Sequence, residues 1–237
     1  MTEHTVKQFD EELNSLSESL AEMGGLAEKL VADAVQSLLD RDLQRAQGVI
    51  SSDRTVDRLQ QYIEERAVLL IAKRQPMAVD LREIVAALRV SNDLERIGDL
   101  AKNIAKRVLA LEGQLRPPKL AGGVDHMGEL VLSQLKEVLD SYARHDAVRA
   151  MEVWKRDGDI DAIYTSLFRE LLTYMMEDPR NIGPCTHLLF CAKNIERIGD
   201  HATNIAETIH YLVTGEALMD ERPKQDLTSS TPISFST

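Results

Sequence analysis

Acidic side chains recur in this chain at spacings that could hold a cation. Glu95 and Asp99 stand four residues apart, and so do Glu196 and Asp200. On a helix, at about 100° per residue, Asp99 lies about 40° round from Glu95 and Asn103 about 80°, so the three share a face. Glu196, Asp200 and Asn204 repeat the arrangement. A second set precedes each of these: Asp53 and Asp57 in the first half, Asp157 and Asp161 in the second. The midpoint between Asp53 and Asp99 is residue 76, as is that between Asp57 and Glu95, and residue 76 is a proline. In the second half, the corresponding midpoints both fall between Asp178 and Pro179. Equal rise along two antiparallel helices would set Asp53 level with Asp99 and Asp57 level with Glu95. The same holds for Asp157 with Asp200 and Asp161 with Glu196.

Four carboxylates at two levels of one hairpin repel one another unless something positive sits between them. All-oxygen donors suit Mg²⁺, Mn²⁺, Ca²⁺ or Fe, whereas a Zn²⁺ site usually also recruits His or Cys. The plainer alternative is a solvated face neutralised by Arg96, Lys102 and Lys106, with Asp99 and Lys102 as i,i+3 neighbours. The matched register in both hairpins puts metal binding first. His201 adjoins Asp200, but its counterpart in the first half is Leu100, so it is not expected to be an essential ligand. His4, His126, His145, His187 and His210 are scattered and read as surface or helix-end residues. Residues Gly98 and Gly199 stand where a di-iron Glu-x-x-His motif would place histidine; they are expected to let a partner or a metal approach the helix backbone. There is no glycine-rich phosphate loop and no Gly-x-Ser-x-Gly elbow, so no catalytic residue is assigned.

The elements that must carry these acids are long helices. Leu13, Leu16, Leu20, Met23, Ala27, Leu30, Ala34 and Leu38 alternate by threes and fours, as one helical face does. Gly24-Gly25 interrupts that run at about 1 kcal/mol per glycine, which predicts a close helix approach or a kink. A second helix carries Val56 to Leu70 and stops at Gln75-Pro76, and a third runs from about Val79 to Leu111. Gly113, Pro117, Pro118 and Gly122-Gly123 mark a linker. Three more helices follow: from about Asp125, from Asp157 to Met176, and from Pro184 to Val213. The stretch from Glu95 to Ala105 recurs from Glu196 to Ala206 with nine of eleven positions identical at an offset of 101. The reading is all-α: two tandem repeated three-helix bundles over residues 8–112 and 124–214, joined by a linker over 113–123 and followed by a mobile tail over 215–237.

Composition narrows the function. The 237 residues carry a formal charge of −11, which argues against attraction to nucleic-acid phosphates. Two cysteines are too few for a disulfide scaffold. Being six residues apart, Cys185 and Cys191 would point about 240° apart on a helix, so a reduced, cytoplasmic setting is expected. The acidic first residues do not read as a signal peptide. The longest run of large apolar residues, Val68 to Ala72, is far below a membrane span.

At these motifs the chain resembles the PhoU family of bacterial phosphate-signalling regulators. The twin Glu-Arg-Ile-Gly-Asp motifs carry the likeness, with Ile71 to Arg82, Met23 to Leu26 and Thr173 to Arg180; it extends from about Phe9 to Gly215. The resemblance implies two three-helix bundles with metal clusters at the repeated Glu-x-x-x-Asp motifs. Its ligands fall on Glu95, Asp99, Glu196 and Asp200, with Asp53, Asp57, Asp157 and Asp161 opposite. Arg96, Arg197, Asn103 and Asn204 would border the acids or face a partner, and the metal would be Fe, Mn, Mg or Zn. It further implies a cytoplasmic regulator, not an enzyme, that couples the ATPase subunit of the phosphate ABC transporter to a sensor histidine kinase and restrains both when phosphate is plentiful. A homodimer is compatible with it. The competing readings are a two-metal phosphatase on the same carboxylates and a metal-free helical adaptor.

Overall fold

The computed structural model describes residues 2–112 and 121–218, with side chains from residue 8 in the first stretch and from residue 122 in the second. Seven α-helices account for nearly all of it: α1 (Thr2–Asp40), α2 (Leu43–Arg74), α3 (Ala78–Ala110), α4 (Ala121–Arg144), α5 (Ala147–Lys155), α6 (Asp157–Glu177) and α7 (Ile182–Thr214). Among the described residues there is no strand, and no helix is long and apolar enough to cross a membrane.

Local chemistry sets the reversals. Asp42 caps α2 and Asp146 caps α5, each accepting the backbone N–H three residues on, at 2.9 and 3.0 Å. Gln75 ends α2 in the left-handed region (φ 49°), its N–H bonding the Ile71 carbonyl, and Pro76 prevents continuation. At the other hairpin, the Asp178 carboxylate accepts the Arg180 N–H and opens a 3-10 turn, Pro179–Asn181, from which α7 starts. The chain thus turns at both expected prolines.

The structure differs from expectation by one added helix: the expected helix from Asp157 to Met176 is α6, and a shorter helix, α5, precedes it across a break at Arg156, where the first half has the single α2. Asp157 and Gly158 follow the break, an acid that favours helix starts and a residue of poor helix propensity. Arg156 is drawn to Glu137 of α4, with the side chains paired at both carboxylate oxygens. The expected linker also ends early: α4 begins at Ala121, and Gly122 and Gly123 are helical. Residues 113–120 and 219–237, which hold most of the expected linker and tail, lie outside the described residues.

The seam residues are core. Leu20, Met23, Ile84, Leu94, Ile97, Ile104, Met127, Leu135 and Ile160 are all fully buried. Cys185 and Cys191 are buried thiols outside any disulfide, and burial pushes the Cys185 thiol up. The halves meet through antiparallel helices: Arg89 lies over the Tyr211 ring, Asp93 meets His201, and Arg107 lies over Phe190, so α3 and α7 run in opposite directions. Glycines seat the α1–α4 contact. A Cβ on Gly24 would come within 3.0 Å of Leu139, and one on Gly128 within 2.6 Å of Val35. Residue 128 is residue 24 of the first half plus 104, and 139 is 35 plus 104. Each half therefore offers a glycine to the other's branched side chain. Gly25 meets nothing within 4 Å, so the close approach belongs to Gly24 alone.

Candidate metal centre

The α2–α3 hairpin brings the first four acids together. Asp53 is 2% exposed, while Asp57, Glu95 and Asp99 are half-buried beside it. The Lys102 ammonium donates to Asp53 Oδ2 at 2.5 Å and to Asp99 Oδ1 at 3.0 Å, so Asp53 of α2 and Asp99 of α3 lie level across the hairpin. Burial pushes the Asp57 carboxyl up, and the charges of Asp53 and Asp99 push it further against the pull of Lys102. Glu95 is also raised, by burial first; Arg96 opposes this, and Asp99, Asp57 and Asp53 add to it. All four acids therefore share one electrostatic neighbourhood. Arg96 is exposed and lies 3.4 Å from Glu95 and 3.8 Å from Asp99.

The second hairpin buries its acids more deeply: Asp157, Asp161 and Glu196 are 3, 4 and 5% exposed, with Asp200 half-buried. Lys193 donates to Glu196 Oε1 at 2.8 Å and stands 4.9 Å from the Tyr164 ring. Thr203 donates to Asp157 Oδ1 at 2.9 Å, with the Gly199 carbonyl at 3.0 Å as its alternative acceptor. Burial raises the Glu196 carboxyl; Lys193 opposes this, and Asp200 and Asp161 reinforce it.

The acids do not all lie on the solvated face of the plainer alternative. Asp53, Asp157, Asp161 and Glu196 are interior, because the neighbouring helix closes over the glycine face of α3 or α7. A Cβ on Gly98 would sit 3.5 Å from Asp53 Oδ1 and from Val56, and one on Gly199 3.0 Å from Ile160. Gly98 and Gly199 admit the chain's own α2 and α6. Lys102 neutralises the first cluster as the plainer alternative foresaw, whereas Lys106 and Arg197 are exposed.

Asn204 and Asn103 stand in different settings. Asn204 donates to Asp93 of the other half at 3.3 Å, beside the 2.8 Å contact between His201 Nδ1 and the same carboxylate, and Asn103 is exposed. The Asp93 contact went unforeseen because no spacing rule ties residues 93 and 201 before the two halves are packed. Gln134 was likewise unforeseen. Its Oε1 is buried without a hydrogen-bond partner and lies 3.5 Å from where a Cβ on Gly199 would be, yet its counterpart at minus 104 is Leu30.

The donor set fits a hard cation in one specific respect. Asp53 Oδ1 and Glu196 Oε2 are each shut away from solvent with no hydrogen-bond partner. A carboxylate oxygen in that condition costs about 1–3 kcal/mol or more unless something satisfies it. Among the described residues no three acids, histidines or cysteines are drawn closely enough around one point to form a finished cage. In both clusters a lysine ammonium supplies positive charge instead.

The PhoU domain matches residues 20–108 and 124–209. The chain belongs to the PhoU family. It is 62% identical over 227 residues to a Rhizobium meliloti (strain 1021) protein named phosphate-specific transport system accessory protein PhoU homolog, covering 96% of each chain. A crystal structure of PhoU from Pseudomonas aeruginosa superposes with a TM-score of 0.84 at 43% identity, covering 88% of this chain and all of that one. The phosphate transport system regulatory protein PhoU from Streptococcus pneumoniae gives 0.81 at 34% identity, over 89% of this chain and 99% of that one. These relatives carry the names of accessory and regulatory proteins, not of enzymes. Each of the two PhoU matches contains one complete cluster, residues 53–99 in the first and 157–200 in the second.

Proposed function

We propose that this chain is a cytoplasmic accessory regulator of phosphate transport that holds metal ions in its two carboxylate clusters. The regulatory part is supported by the near full-length likeness to a phosphate-specific transport system accessory protein. The metal part is supported by one observation above all: both repeats bury a carboxylate oxygen that has no partner. Asp53, Asp57, Glu95 and Asp99 would hold one site, and Asp157, Asp161, Glu196 and Asp200 the other. A bound Mg²⁺, Mn²⁺, Fe or Zn²⁺ would supply charge neutralisation and Lewis-acid coordination. The chain's own part is to present acids from both helices of each hairpin, so that neutralising them ties α2 to α3 and α6 to α7.

The partners in this reading are the ATPase subunit of the phosphate ABC transporter and the sensor histidine kinase of the phosphate response. Two similar halves suit the bridging of two partners, and a change of charge on an acidic molecule alters which surfaces it attracts. Cells lacking the gene should express phosphate-starvation genes, or take up phosphate without restraint, in rich phosphate; restoring the gene should reimpose control. Repressed alkaline phosphatase and unchanged uptake in the deletion strain would overturn the regulatory assignment. For the metal, Glu95→Ala with Asp99→Ala should empty the first cluster and leave the second nearly intact, read as metal per chain by elemental analysis.

A further inference from the structure

The lysine in the first cluster occupies a telling place. The Lys102 ammonium spans the hairpin, at 2.5 Å from Asp53 Oδ2 on α2 and 3.0 Å from Asp99 Oδ1 on α3. Those oxygens belong to the two acids through which a cation would join the helices. The lysine side chain is only 24% exposed.

The repeat shows that this charge is not a requirement of the hairpin. Residue 102 plus 101 is Thr203, a neutral hydroxyl that donates to Asp157. The lysine of the second cluster, Lys193, comes from a different position, one turn before Glu196, and its counterpart in the first half is Asn92. The two halves have thus placed their internal cations independently within one framework of acids.

We infer that the Lys102 ammonium is an internal competitor for the cation seat of the first cluster: it balances Asp53 and Asp99 in the metal-free chain, and a divalent metal must displace it to bind. This rests on the metal-binding reading of the clusters. Lys102 then sets how much free metal is needed to load the first site, and in return keeps that hairpin closed when no metal is present. A divalent ion outcompetes one ammonium because it can also draw on Asp53 Oδ1, which Lys102 leaves unsatisfied.

The test uses the full chain with the second cluster disabled by Glu196→Gln and Asp200→Asn, titrated with Mn²⁺ and followed by the electron paramagnetic resonance of free Mn²⁺. Lys102→Thr copies the second repeat, and Lys102→Met keeps the apolar stem in case the threonine variant packs poorly. Both should bind Mn²⁺ about tenfold or more tightly than the parent, the worth of one charge-assisted hydrogen bond. Both should also melt at a lower temperature in chelator and regain the loss with Mn²⁺. If the parent binds Mn²⁺ and both lysine variants bind it equally or more weakly, Lys102 is a structural salt bridge and the inference fails while the metal reading stands. If neither parent nor variants bind Mn²⁺ at millimolar concentration, the metal reading falls and the inference falls with it.

Discussion

Replacing Glu196 by Gln should separate a side chain kept for stability from one kept for a ligand. Glu196 is 5% exposed, its Oε1 accepts from Lys193, and its Oε2 has no partner. Burial raises its carboxyl, and Asp200 and Asp161 add to that. The amide has nearly the same shape. It can still accept from Lys193 through its carbonyl, and its NH₂ gives the neighbouring acids a donor where Oε2 offered only repulsion. Loss of charge attraction to Lys193 and relief from Asp161 and Asp200 nearly offset each other, so in chelator the variant should unfold within about 1 kcal/mol of the parent. Metal changes the comparison. A site held at a hundredfold excess of metal over its Kd stabilises the fold by about 2.7 kcal/mol. At about 2–4 °C per kcal/mol for a chain of this size, that amounts to about 5–11 °C per site. Thermal melting with and without Mn²⁺, followed by circular dichroism, should show the parent gaining that increment at both clusters and Glu196→Gln gaining it at the first alone. A variant that melts several degrees lower in chelator yet keeps the full gain from metal would refute the reasoning, because Glu196 would then be structural.

Two further predictions concern the frame. Gly128→Ala would push a Cβ to 2.6 Å from Val35 and should destabilise by about 1–3 kcal/mol, less the helical preference for alanine. Gly25→Ala, which meets nothing within 4 Å, should instead stabilise by about 0.5–1 kcal/mol; urea unfolding of both variants makes the comparison. Arg156 holds the Glu137 carboxyl below its ordinary 4.5, so this pair stabilises the fold above the unfolded-state pKa and loses its effect as pH falls through the lowered folded value. Glu137→Gln should therefore cost up to about 1 kcal/mol at pH 7 and nothing in strong acid, measured as melting curves against pH.

Much of this architecture is legible from local rules. The three-and-four spacing of the seam marks the helices, and Pro76 and Pro179 mark the turns. The shared midpoints align Asp53 with Asp99 before any helix is placed. Depth is what those rules miss. Counting at 100° per residue sets Glu196 away from the α7 seam but cannot show that α6 closes over Gly199 and buries it. Nor does periodicity mark off α5 as a separate short helix before the expected start at Asp157. Asp93 with His201 and Asn204 escaped because it is a contact between halves. The offset of 104 that relates Gly24 to Gly128 differs from the 101 of the motif helices. A single repeat length therefore hides the reciprocal glycines.

The pairing of those glycines has a consequence for how the protein can be tuned. Gly24 with Leu139 and Gly128 with Val35 are the two contacts that a dimer of identical halves would make about its axis. In such a dimer every inherited change strikes both halves at once, so both sites respond at one concentration. Joined in a single chain, the halves vary separately, as Lys102 against Thr203 and Lys193 against Asn92 already show. If each half holds metal as proposed above, two sites with different thresholds would spread a response over a wider range of metal than one threshold allows, and fusion of the halves would make that spread heritable.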